Sequence, residues 1–148
     1  MVLFSKVLVM QKNNYPSIIE SVKGYFADDD INYTMNDDGD TVYLKYKFSS
    51  IVVDVTVICL PTFYVIHVSY PFAYSRDNLL RNLSALNSIN IGLPFGSFEF
   101  NFDCDSIRYK DGMYLAERNI SKEDFGDHFN VVLYFAKKYI DQLKELMD

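Results

Sequence analysis

The sequence predicts an α+β fold, an antiparallel sheet with flanking helices in the order α-β-β-β-β-α-β-β-α. Three observations predict it. Apolar residues recur at spacings of three and four in three separate stretches, the signature of one buried helical stripe. Between those stretches lie short β-rich runs of period two, divided by Asp-Gly, Ser-Ser and Pro-containing turns. Finally, 49% of the 148 residues are hydrophobic, with 12 Tyr and 12 Phe but no Trp, so one domain spanning residues 1–148 has ample material for a core.

The first helix carries Tyr15, Ile18, Ile19, Val22, Tyr25 and Phe26 on one stripe, with Pro16 suited to its first turn. Acids at a helix C-terminus oppose the macrodipole, so Asp28-Asp29-Asp30 is expected in the loop beyond it. Ile31 to Met35 and Thr41 to Phe48 then flank Asn36-Asp37-Asp38-Gly39-Asp40, which reads as a hairpin around an Asp-Gly turn. In the second run Val42, Leu44, Tyr46 and Phe48 share one face, and Tyr43, Lys45 and Lys47 the other.

A two-residue turn at Ser49-Ser50 sets Lys45 opposite Asp54 in the next strand, Ile51 to Cys59, an opposite-charge pair that supports the register. Leu60-Pro61-Thr62 leads into the strand from Phe63 to Tyr70. Taken as a three-residue separator, it puts Val65 and His67 on the core face with Val53, Val55 and Val57. Tyr64, Ile66, Val68 and Tyr70 are then left on the outer face with Lys45, Lys47, Asp54 and Thr56.

Asp77 is placed to cap a helix bearing Leu79, Leu80, Leu83, Leu86 and Ile89 or Asn90, which Gly92-Leu93-Pro94 ends. Phe98, Phe100 and Phe102 alternate in the next strand. A turn at Asp103-Cys104-Asp105 leads to a strand from about Ser106 to Glu117, in which Asp111-Gly112 suggests a second turn or a bulge. Ser121 begins a capping box whose fourth residue is Asp124, opening a long helix with Phe125, Phe129, Val132, Ala136, Tyr139 or Ile140, Leu143 and Met147 on its apolar stripe.

Acids outnumber bases 20 to 14, and the net charge of −6, with no basic stripe along the chain, argues against nucleic acid. Met1 to Met10 is apolar but lacks the features of a signal peptide, and no segment reaches the roughly 20 apolar residues of a membrane span. A cytoplasmic protein without membrane association is expected. Cys59 and Cys104 form no framework and are expected to behave as small buried or half-buried apolar residues.

No catalytic centre, metal site or cofactor is expected. Aligning Gly39 with the glycine of a calcium loop puts Thr34 and Lys45 where Asp and Glu are required. His67 reads as a buried, hydrogen-bonded core residue and His128 as a surface residue near Asp124 and Asp127. There is no nucleophile elbow or phosphate-binding glycine loop.

A resemblance adds to this. Leu83-Ser84-Ala85-Leu86-Asn87-Ser88-Ile89-Asn90, then Gly96-Ser97-Phe98, and the long helix after Ser121 resemble the YbjN-type family, whose fold is that of the class I type III secretion chaperones. The likeness runs from about Tyr15 to Met147 and rests on packing and capping motifs. It implies a type III secretion chaperone-like fold and a cytosolic homodimer that binds a protein segment, as chaperone or regulator.

The leading expectation is therefore a non-enzymatic, dimeric protein-binding module whose partner is another protein or peptide. Its surface is expected at Tyr64, Ile66, Val68 and Tyr70 together with Leu79, Leu83 and Leu86, provided no helix covers that face. The alternative is a sensory domain holding a small molecule between sheet and C-terminal helix, lined by Phe129, Tyr139 and the Phe98–Phe102 strand.

Overall fold

The computed structural model describes residues 17–116 and 119–147. The expectations for Met1 to Met10, Tyr15 and Pro16 lie outside these residues. Helix α1 (Ile18–Asp28) buries Ile18, Val22 and Phe26. It runs one residue into the acid run, Asp28 closing its last turn where a loop position was expected, and then ends: Asp30 takes a left-handed φ of 55°, and the Ile31 N–H reaches back to the Phe26 carbonyl at 2.8 Å. That bond satisfies a terminal carbonyl in the Schellman manner.

Six strands follow: β1 (Thr34–Met35), β2 (Thr41–Phe48), β3 (Ile51–Cys59), β4 (Phe63–Ser69), β5 (Ser97–Asn101) and β6 (Ser106–Tyr114). They form one sheet in the order β1-β2-β3-β4-β6-β5, every neighbouring pair antiparallel. Helix α2 (Leu79–Gly92) joins β4 to β5. Helices α3 (Lys122–Lys138) and α4 (Ile140–Glu145) follow β6, the expected single terminal helix breaking at Tyr139.

Local chemistry fixes the turns. Asn36 Oδ1 accepts from the backbone N–H groups of Asp40 and Thr41 at 3.1 and 2.9 Å, while Gly39 supplies a φ of 70°. Ser49-Ser50 closes the β2–β3 hairpin, and Lys45 faces Asp54 at 2.7 Å, as expected. The Ser121 hydroxyl accepts from the Asp124 N–H at 3.1 Å at the start of α3. At the other helix the cap differs: Ser75, not Asp77, accepts a backbone bond, in a short 3₁₀ turn (Arg76–Asn78) before α2.

The β3–β4 connection corrects the expected core face. Leu60 and Phe63 pair through the Leu60 N–H at 2.8 Å, so the loop is the two residues Pro61-Thr62 and Cys59 faces Tyr64. A change of one residue in loop length reverses every side chain of the following strand. Tyr64, Ile66, Val68 and Tyr70 therefore lie on the core face with Val53, Val55 and Val57, and Val65 and His67 lie on the other.

The helices pack on that core face. Phe26 meets Phe125 and Phe129 edge-on with ring centroids 5.8 and 5.2 Å apart, Phe125 and Phe129 lie tilted at 5.8 Å, and the Tyr64 ring meets Phe125 at 5.3 Å. Burying each such ring contributes about 1.5–3 kcal/mol. Strand β6 runs unbroken past Asp111-Gly112, without bulge or turn. Gly112 is needed there, because a Cβ would lie 2.7 Å from the Tyr64 carbonyl oxygen.

Candidate interaction surfaces

Of the residues expected to bind a partner, Tyr64, Ile66, Val68 and Tyr70 are unavailable: the first three are 0% exposed and Tyr70 4%. Their role is internal. The Tyr70 hydroxyl donates to the Ala136 carbonyl at 2.5 Å, and Tyr74 donates to Leu143 at 3.0 Å, tying α3 and α4 to the sheet. Burial raises both phenols well above the ordinary tyrosine range.

The Tyr64 hydroxyl meets His128 Nδ1 at 2.6 Å, and His128 Nε2 meets Asp111 Oδ2 at 3.0 Å. A carboxylate only accepts, so Nε2 carries the proton toward Asp111, and in the neutral imidazole Nδ1 then accepts from the tyrosine. The second Asp111 oxygen accepts from the Gly112 N–H at 2.9 Å. This relay joins β4, β6 and α3. His128 is thus a half-buried structural residue and not the expected surface one. Its two partners lie 17 and 64 positions away, so no local spacing could have signalled it.

Helix α2 presents two different sides. Leu86 is buried, with Leu79 and Ile89 half-buried beside it, whereas Leu80 is 80% exposed, Leu83 38% and Ile91 79%. The last three follow one another along the outer side of the helix. Leu80 therefore leaves the expected buried stripe. Asn82, by contrast, is fully buried, and neither of its side-chain polar atoms has a hydrogen-bond partner among the described residues.

The face of the sheet that the described residues leave uncovered is the second surface. Pairing aligns Lys45, Asp54, Ser69, Arg108 and Glu99 in one row across the strands. Tyr43, Thr56, His67, Lys110 and Ser97 form the next, and Ile58, Val65 and Gly112 a third. Phe63 and Tyr114 pair beyond them and are exposed. The face passes from charged to apolar along the strands. Burial, then the nearby Arg108 guanidinium, lowers the His67 pKa from its ordinary value. Next to Lys45 and Asp54, a cleft of about 480 Å³ opens between Tyr43, Thr56 and the chain at Asn32 and Tyr33.

The aromatic residues expected to enclose a small molecule are packed together instead. Phe98 and Phe129 are buried, and Tyr139 meets the Phe98 ring edge-on at 5.6 Å. A cleft of about 450 Å³ borders Tyr139 on its other side, between α2 and α4. Cys59 is buried, which pushes its thiol up to about 12, whereas Cys104 is exposed, contrary to expectation. Among the described residues, no three His, Cys, Asp or Glu side chains gather as a metal site, and no helix is long and apolar enough to cross a membrane.

This architecture, a six-stranded antiparallel sheet with helices packed on one face, is a YbjN-like α+β fold. The crystal structure of E. coli YbjN, described as "a putative transcription regulator", is similar with a TM-score of 0.61 at 9% sequence identity. The likeness covers 84% of this chain and 92% of that one. No family model matches the chain, and no curated protein matches its sequence.

Proposed function

We infer that the protein is a non-enzymatic protein-binding module of regulatory or chaperone-like role, working in the cytoplasm as a homodimer. The observation that carries this reading is the outer side of α2. Leu80, Leu83 and Ile91 leave large apolar surface outside a core that is already closed by the helix's other side. Exposed apolar side chains of this kind favour association, and a helix pair related by twofold symmetry buries the same stripe on both copies. The regulator description of E. coli YbjN supports a regulatory role. The sheet's uncovered face then remains available for a protein partner in each copy.

Light scattering after gel filtration tests the reading. The dimer mass is expected at micromolar concentration, and Leu80→Ser with Ile91→Ser is expected to give a monomer with an unchanged far-ultraviolet spectrum. A wild-type monomer across that range removes the homodimer.

A further inference from the structure

We propose that the uncovered face of the sheet receives an extended polypeptide segment with an acidic half and an apolar half. The acidic half lies over Lys47, Arg108 and Lys110, and the apolar half along Val65, Gly112 and Tyr114. This rests on the protein-binding reading and names the chemistry of the partner.

Charge carries the first step. The described part of this face holds four cations, Lys45, Lys47, Arg108 and Lys110, and two carboxylates, Asp54 and Glu99, in a chain whose net charge is −6. Asp54 is held by Lys45 at 2.7 Å and Glu99 by Arg108 at 2.6 Å. Lys47 and Lys110 have no acidic partner among the described residues. The tertiary fold thus assembles a positive surface on an acidic protein, where a carboxylate-bearing partner is both attracted and oriented.

Shape carries the second. Gly112 is exposed and has no side chain, so the strand backbone lies open between Lys110 and Tyr114, flanked by the half-buried Val65 and the exposed Phe63. Strands β4 and β6 run from the Ser69–Arg108 pair to the Phe63–Tyr114 pair, seven residues, a length of about 20–23 Å at ~3.3 Å per residue. Lys47 lies on β2, three strands from β6, so the site from Lys47 to Tyr114 measures about 30 Å at ~4.8 Å per strand and ~3.3 Å per residue, and an extended segment of about nine residues laid diagonally spans both halves. A second copy of the same face is disfavoured by like charge. Nucleic acid is disfavoured because a phosphate chain needs several uncompensated cations in line, and this face has two.

The test uses the intact protein and four labelled probes. The first is a 12-residue peptide of six alternating Asp and Glu followed by six residues drawn from Val, Phe and Tyr. The second and third replace its acids with Asn and Gln, or with Lys, and the fourth is a 12-nucleotide oligouridine. The acidic peptide is expected to bind by fluorescence anisotropy, and the pair Lys47→Glu and Lys110→Glu to weaken it by about tenfold or more. On binding, the His67 titration followed by NMR is expected to move upward, as a carboxylate arrives beside it. Equal binding of the amide or lysine peptide overturns the acidic partner while leaving a protein-binding module. Binding of oligouridine alone, or of no probe, overturns both.

Discussion

Strand β4 is the same seven residues seen from two sides, and the two sides do different work. Tyr64, Ile66 and Val68 are wholly enclosed beneath the helices, with the Tyr64 hydroxyl engaged by His128. Val65, His67 and Ser69 alternate with them yet remain half-buried on an uncovered surface. Stability is concentrated on one side of the sheet, and under the proposed function recognition is left to the other. Substitutions should therefore separate the two properties according to side-chain parity.

The largest expected effect belongs to the covered side: Phe129→Ala should lower the unfolding free energy by about 3–5 kcal/mol in urea titrations, through lost burial and the cavity left among Phe26 and Phe125. Tyr64→Phe keeps the ring and strands His128 Nδ1, so a loss of about 1–3 kcal/mol is expected; no change at all would show that the relay contributes nothing to holding α3. In the other direction, Asn82→Leu should stabilise by about 1–3 kcal/mol, since it replaces a buried amide without partners by an apolar group of similar size.

Smaller effects are expected on the uncovered side. A double-mutant cycle on Lys45 and Asp54, both largely exposed, should give a coupling of about 0.2–1 kcal/mol that fades with salt. His67 provides the pH test. Its folded pKa lies below the ordinary 6.5, so the unfolded chain takes up the proton first as pH falls. Stability from this residue is therefore complete above the unfolded value and is lost progressively as pH falls toward the folded one. His67→Gln should remove that slope from stability measured between pH 7.5 and 5.

The register error explains what could be read from the chain and what could not. Helix α1, the Ser49-Ser50 hairpin and the Lys45–Asp54 pair follow from neighbours a few residues apart. The side of β4 that faces the core depends on whether Leu60 belongs to the loop or to the ladder, a choice made by the Leu60–Phe63 and Cys59–Tyr64 pairings and by the helices above. Tyr64, Ile66, Val68 and Tyr70 were visible as an apolar row, but not the α3 cover that makes them core. The basic surface was hidden for a related reason. Lys47 and Lys110 are 63 positions apart, and only the strand order brings them to one face.

Helix α2 also sits against the outermost strand, where the Asn90 amide donates to the Phe98 carbonyl at 2.9 Å and accepts its N–H at 2.7 Å. One side chain thus occupies the outward backbone groups of Phe98 that a further strand would use. At β6, beyond the last β5 pair, Asp111 similarly occupies the Gly112 N–H. A chain this rich in aromatic and β-branched strands is, in effect, terminated like a polymer at this edge: the growing end there is blocked by its own side chains, and stacking of a further strand on β5 is disfavoured.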